Sequence, residues 1–355
     1  MTDVYLNRIG TSVPPHDVHD AFVRFAATLL PDERMQRLFQ RMGDRCGIEH
    51  RYSTVEPLAD LAGFKLDQDN FYRRGKFPSS AGRMSRYEQS ALPLALEAVA
   101  RLEIADRLDE ISHVIVTSCT GFYAPGLDLQ LVQALGLRSS VERTVIGFMG
   151  CYAAFNALKA ARHIVRSEPA SRVLLVNLEL CTLHLQETVE LEQMLSFLVF
   201  ADGCAASLVS AEPTGLRLDS FHAEFLPETA ELITWRIGDN GFDMVLSGAV
   251  PGAVGAGLTQ AAPRILDRGT TDGVDLWAVH PGGRSVLDAV QNALKLPEDA
   301  LAHSRAVLRS YGNMSSATIL FVLARMMRAG QSGAAGVAMS FGPGLVAETM
   351  RFRVA

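Results

Sequence analysis

The 355-residue chain is 48% hydrophobic and 20% charged, a globular composition long enough for one large domain or two packed halves and unlike that of a fibre or a disordered tail. Its 33 basic residues are outnumbered by 39 acidic ones, a formal net charge of −6, so nucleic acid is not an expected partner. The five cysteines, Cys46, Cys119, Cys151, Cys181 and Cys204, are odd in number and widely spaced, as expected of reduced thiols in a cytoplasmic protein and not of a disulfide framework or a metal site.

The opening segment, MTDVYLNRIGTSVPP, lacks the basic start and apolar core of a secretory leader, so no export is expected. Short runs rich in Val, Ile and Leu then alternate with longer helical patterns, which predicts an α/β architecture with buried strands. Strands are expected at Ile111 to Ser118, Val145 to Phe148, Val173 to Leu178, Ala205 to Val209, Leu276 to Val279 and Gly336 to Met339. A helix is expected from about Cys151 to Arg166, ended by Pro169, and a second from about Met314 to Arg328, apolar on nearly all sides and therefore placed in the core. The longest apolar stretch, Ala317 to Met327, contains Arg325 and is about half of the ~20 residues a membrane helix needs, so no membrane span is expected.

The two helices share a layout. A Gly-rich approach leads to Cys151, and the strand VLLV begins 22 residues later; YGN leads to Asn313, and the strand GVAM begins 23 residues later. This reads as one supersecondary unit present twice. The composition shifts at AEPTG, Ala211 to Gly215, where the boundary between an N-terminal half, 1–212, and a C-terminal half, 213–355, is placed. No linker intervenes, so the halves are expected to pack tightly.

Three residues have contexts suited to chemistry. A thiol at the first turn of a helix, as expected for Cys151, faces the positive end of the helix dipole, which favours thiolate. His280 ends an apolar strand and is followed by Pro281, Gly282 and Gly283, a sharp turn at the kind of strand end where α/β active sites collect. Asn313 has the residue type of a helix N-cap, yet by the repeat it stands where Cys151 stands in the other half. Such a set serves either hydrolysis, with Asn orienting the His that activates the thiol, or carbon–carbon bond formation through an acyl thioester, with His and Asn donating to thioester oxygens. Spacing alone does not choose between them.

The segments FQRMGDRCGIEHRY, TSCTGFYAPGLD, GFMGCYAAFNALKAARHI, LVFADGCAA, AVHPGG, YGNMSSATILFVL and FGPGLVAET occur in this order, and together they resemble the type III polyketide synthases, the chalcone synthase-like enzymes, most closely their bacterial branch. The resemblance spans nearly the whole chain. It implies an α/β thiolase fold of two similar halves in five layers, αβαβα, and a homodimer. It implies that Cys151 carries the acyl group with His280 and Asn313 as partners, that acyl- and malonyl-coenzyme A are the substrates, and that no metal or redox cofactor takes part. Arg41 and Arg45, assisted by Arg37, match basic residues near the coenzyme A phosphates; Phe200 matches an aromatic gatekeeper, and Met244 stands where plant members carry phenylalanine. Ser196, Gly282, Gly283 and Ser315 are expected around the pocket.

Cys119 and Thr120 depart from the plant pattern and resemble bacterial enzymes making small aromatic products, in which a thiol lines the cavity. A shortened segment after Glu179 places Cys181 and His184 near the cavity as well, whereas Cys46 and Cys204 are expected to be structural. Ser340 replaces the usual glycine before FGPG. The expected activity is iterative condensation of malonyl-coenzyme A onto an acyl starter, then cyclisation, giving an alkylpyrone or alkylresorcinol, or else a small aromatic polyol. A single-step ketoacyl synthase III, a Cys/His/Asn thioester hydrolase and a non-catalytic scaffold are the competing readings.

Overall fold

The computed structural model describes residues 2–58, 65–266 and 270–355. Thirteen strands follow in chain order: β1 Tyr5–Ser12, β2 His16–Asp17, β3 Tyr52–Ser53, β4 His113–Ser118, β5 Glu142–Gly147, β6 Val173–Leu180, β7 Asp202–Ser210, β8 Leu216–Phe225, β9 Ile233–Gly238, β10 Gly241–Leu246, β11 Leu276–Val279, β12 Ala335–Gly342 and β13 Val346–Val354. Nine of them form one mixed sheet in the order β11-β12-β13-β8-β1-β7-β6-β4-β5. The join between its two parts is slight, since β1 and β8 pair only at Tyr5 with Arg217 and Leu6 with Leu216.

On either side of that join the pairing repeats. β4 runs parallel to β6, which is antiparallel to β7, which is antiparallel to β1; β11 runs parallel to β12, which is antiparallel to β13, which is antiparallel to β8. Strand β6, VLLVNLEL, is buried along its whole length, which is why it is read as a continuous apolar run instead of an alternating one. Its side chains still alternate: Leu174, Val176, Leu178 and Leu180 join one core cluster, Val173 and Leu175 another.

The three core clusters define five layers. The first packs the helices His19–Leu29, Ser80–Ala100 and Leu127–Ala134 on one face of the N-terminal strands. The second encloses the helices Ala153–Ser167 and Thr318–Ala329 between the two sets of strands. The third packs Val250–Ile265 and Arg284–Ala293 on the outer face of the C-terminal strands. This is the expected αβαβα arrangement. The Thr318–Ala329 helix is buried from Thr318 through Ala324, as its unbroken apolar character predicts for a helix enclosed on all sides.

Both central helices begin later than expected, each preceded by a 3-10 turn: Gly150–Tyr152 before the first and Ser315–Ala317 before the second. Cys151 lies inside its turn, whereas Asn313 stands two residues ahead of its own. Their places are related but differ in register.

Candidate active site

The approach to Cys151 is a forced turn at the end of β5. Phe148 and Gly150 both have positive φ, 54° and 70°, and a Cβ on Gly150 would lie 2.3 Å from Pro343 Cδ. Only glycine meets both conditions. On the other side, the Ser340 hydroxyl donates to the Cys151 carbonyl at 2.9 Å, tying the end of β12 to the nucleophile's turn.

His280 follows β11 and is held by its backbone N–H to the Met339 carbonyl, 2.8 Å. Asn313 is fixed at backbone and side chain alike. Its Nδ2 donates to the Gly282 carbonyl at 3.3 Å and its Oδ1 accepts the Ser315 N–H at 2.9 Å, which holds Ser315 at φ 45°. Cys151, His280 and Asn313 all line one cavity of about 540 Å³. Three remote stretches of chain therefore deliver thiol, imidazole and carboxamide to a single space.

Burial governs the protonation of this group. It pushes the Cys151 thiol up to about 12, against hydrogen bonds from the Ser315 and Asn313 side chains that favour the thiolate. It pushes His280 down to about 3, and neither ring nitrogen has a hydrogen-bond partner among the described residues. Burial thus favours thiol and neutral imidazole over the charged pair at rest. Sequence reasoning considered only the helix-dipole effect, which favours the thiolate; enclosure of the sulfur acts in the opposite direction.

Cys119, Ser196, Phe200, Met244, Gly282, Gly283 and Ser315 line the cavity as expected, and Arg45 borders it. The Cys119 sulfur accepts the Gly150 N–H at 3.0 Å, and burial together with the adjacent Glu179 raises this thiol well above its usual range.

Four residues, Thr120, Cys181, His184 and Cys46, are placed differently from expectation. Thr120 points away from the cavity, its hydroxyl donating to Glu179 at 2.9 Å, because side chains alternate past the end of β4. Cys181 faces a separate space of about 40 Å³ behind Phe200. His184 is a fully buried structural residue: Nε2–H donates to the Thr120 carbonyl at 2.7 Å, Nδ1 accepts the Phe242 N–H at 3.2 Å, and its ring stacks on Phe242 at 4.1 Å. Arg37 and Arg41, expected near the coenzyme A phosphates, lie on the exposed face of the helix Glu33–Arg45 and do not line the cavity, with Arg37 paired to Glu33 at 2.9 Å. Cys46, expected to be structural, borders the cavity next to Arg45, whereas Cys204 is buried in β7 as anticipated.

Of one wall, sequence reasoning found only Met244. The β9–β10 hairpin lays Ile233, Trp235 and Leu246 beside Met244 across the cavity. Its Asp239-Asn240-Gly241 turn between alternating apolar residues was the available clue. Also missed was Glu179, whose buried carboxyl accepts from Ser316 Oγ at 2.6 Å, Cys119 N–H at 2.9 Å and Thr120 Oγ1. Burial lifts it to about 7.

A mixed sheet whose pairing repeats on either side of one slight join, in five layers αβαβα, is the architecture of the thiolase fold. Family models for chalcone and stilbene synthases match here, the N-terminal domain over residues 4–213 and the C-terminal domain over 217–355. The chain therefore belongs to the chalcone and stilbene synthase family, the type III polyketide synthases, acyltransferases that condense malonyl-coenzyme A iteratively and cyclise the product.

Among curated relatives, an alpha-pyrone synthesis polyketide synthase-like protein, Pks18, of Mycobacterium tuberculosis is 32% identical over 99% of this chain and 92% of its own. The bisdemethoxycurcumin synthase of Oryza sativa is 33% identical over 96% and 90%. The crystal structure of PKS-I from the brown alga Ectocarpus siliculosus matches with a TM-score of 0.87 at 30% identity, covering 100% of this chain and 99% of that one. The type III domain of the Dictyostelium type I/III hybrid Steely1 shares the fold at a TM-score of 0.90 and 23% identity, over 99% of both chains.

Proposed function

We propose that Cys151 is the acyl-carrying nucleophile of this synthase, with His280 and Asn313 as its partners. The convergence of the three on one cavity is the observation that carries the reading. His280 takes the Cys151 proton as the sulfur attacks an acyl-coenzyme A thioester, and free coenzyme A leaves protonated. Malonyl-coenzyme A then loses carbon dioxide to leave an enolate, whose oxygen needs donors. The Asn313 amide and the His280 imidazole, neutral again once the leaving coenzyme A has taken its proton and in its Nε2–H tautomer, supply them. The enolate carbon attacks the Cys151 thioester, the thiolate leaves, and the chain is two carbons longer. The reaction as written needs no metal or redox cofactor.

A fatty starter leading to an alkylpyrone or alkylresorcinol is the product reading favoured here over a small aromatic polyol. Its support is the size of the cavity and its largely aliphatic wall of Ile233, Met244 and Leu246. On this reading Arg45, which borders the cavity, and Arg41, one turn before it on the same helix, receive the coenzyme A phosphates. The division into related halves near residue 212 belongs to the same reading, supported by the repeated strand order. So does a homodimer, for which the outer strand β5 offers an unpaired edge with Val145 52% exposed and Phe122 close by. Among the described residues no helix is long and apolar enough to cross a membrane, and a cytoplasmic setting accords with the five free thiols.

The test is incubation with a panel of acyl-coenzyme A starters and malonyl-coenzyme A, followed by mass spectrometry. Cys151→Ala should abolish every extended product. Extension by one unit only would favour a ketoacyl synthase III, and release of free starter acid without malonate-dependent products a hydrolase.

A further inference from the structure

Arg51 is buried behind the wall of the cavity without lining it. Among the described residues its guanidinium forms no ion pair, and Nη2 has no hydrogen-bond partner; the charges of Asp17 and Asp202 act on it only at longer range. The groups it does bond are uncharged. Nε donates to His19 Nδ1 at 3.0 Å, Nη1 donates to the carbonyls of Phe197 at 3.1 Å and Phe200 at 2.7 Å, and the guanidinium lies over the Phe22 ring, 4.6 Å from its centre. Burying a cation among such partners is costlier than burying an apolar side chain of similar volume. What the arginine adds is direction, because its planar fork holds several acceptors in one fixed arrangement.

The two carbonyls belong to the last turn of the helix Leu191–Val199 and to the residue after it, where carbonyls lack intrahelical partners. Arg51 therefore caps this helix and sets the point at which Phe200 leaves it. Asn313 bonds by its backbone to Val199 and Ala201, on either side of Phe200. The Arg51 stem also fills the space beside Gly312, whose φ is 68° and where a Cβ would lie 2.8 Å from Arg51 Cγ and 2.9 Å from the Val199 carbonyl oxygen. One side chain thus bounds both Phe200 and the residue before Asn313. His19 fixes that side chain in turn. It opens the helix His19–Leu29, and Asp17 Oδ1 accepts the backbone N–H of both His19 and Arg51 at 3.2 Å, so the two are tied at backbone and side chain alike. Burial, with the Arg51 charge beside it, lowers His19 to about 4, which keeps Nδ1 free of a proton and able to accept.

We propose that His19 and Arg51 are a positioning pair that sets the Asn313 carboxamide and the Phe200 ring in place beside Cys151. Neither lines the cavity, so both act through the residues they hold. On the condensing reading above, on which this inference rests, the enolate oxygen needs the Asn313 amide at hydrogen-bond distance, whereas starter loading is carried chiefly by Cys151 and His280. A displaced Asn313 therefore slows decarboxylation first.

The test uses the full-length wild type and the variants His19→Leu, Arg51→Lys and His19→Asn, each assayed for release of labelled carbon dioxide from malonyl-coenzyme A and for acylation of Cys151 by mass analysis. His19→Leu removes the acceptor, and Arg51→Lys keeps the charge but loses the fork. Each is expected to lower decarboxylation about tenfold while starter loading falls less than about twofold. His19→Asn puts an Oδ1 acceptor where Nδ1 stands and is expected to keep decarboxylation within about twofold of wild type. A purely structural pair would lower both steps together. That result, a His19→Asn as slow as His19→Leu, unchanged decarboxylation in a folded His19→Leu or Arg51→Lys, or failure of both of these to fold overturns the proposal. Absence of decarboxylation and of extended product in wild type, with every starter of the acyl panel, would instead overturn the condensing function.

Discussion

Asn313 is bonded by its backbone to both sides of Phe200: its N–H donates to the Val199 carbonyl at 2.8 Å, and its carbonyl accepts the Ala201 N–H at 2.9 Å. The proposed donor, in the loop after the helix Ala302–Tyr311, and the aromatic wall residue, just after the helix Leu191–Val199, are thus joined by an isolated bridge of parallel backbone. Arg51, fully buried, braces the same wall, its Nη1 donating to the carbonyls of Phe197 at 3.1 Å and Phe200 at 2.7 Å.

Since that bridge uses only backbone, removing the Asn313 carboxamide leaves the bridge in place and costs only the side-chain bonds to Gly282 and Ser315. Asn313→Ala is expected to unfold within a few degrees of wild type while malonyl decarboxylation falls about a hundredfold, starter loading falling less than about tenfold. Release of labelled carbon dioxide and mass analysis of acylated Cys151 separate the two steps. An equal loss of both would contradict the assignment of Asn313 to the enolate.

The neutral resting pair predicts a pH profile. With Cys151 raised to about 12 by burial, the thiolate fraction should climb continuously with pH. Alkylation of Cys151 by iodoacetamide should therefore accelerate from about pH 7 to about pH 10 without levelling off. A plateau reached below neutrality would show a preformed thiolate–imidazolium pair.

Glu179 links the site to stability. Burial raises its carboxyl from 4.5 to about 7, so the folded state favours the protonated form. The stability this contributes is fully present below about pH 4.5 and is lost as pH rises through about 7, a change of roughly 3 kcal/mol. Asp202, lifted by burial to about 6, acts in the same direction. Urea unfolding at several pH values should show a shallower decline for Glu179→Gln than for wild type, and parallel curves would rule the coupling out.

Met244 is 5% exposed and lines the cavity beside Trp235. Replacing this flexible side chain with a rigid ring should shorten the accepted starter. Met244→Phe is expected to lower kcat/KM for a long acyl starter by about tenfold or more relative to a short one, in line with the cost of a few methylenes in an apolar pocket. Competition between the two starters, read by product mass, measures it; an unchanged ratio would remove Met244 from the acyl path.

Much of the architecture was legible in the residue order because its causes are local. The apolar runs from β4 to β7 and at β11 and β12 match strands in the fold, and the unbroken apolar character of the Thr318–Ala329 helix announced its enclosure. Cys151, His280 and Asn313 could be singled out from their Gly-rich turns and motif order, since those turns are encoded within a few residues. Which side chains around them face the cavity was not encoded in that way. Cys119 lines it and Thr120 does not, because successive residues past β4 turn to opposite sides. Cys181 and His184 sit behind the wall made by Phe200, Trp235 and Phe242, and that wall exists only once the hairpin folds across. The protonation of Cys151, His280 and Glu179 is likewise a tertiary property. Burial sets it, and burial depends on which distant segments close over a group.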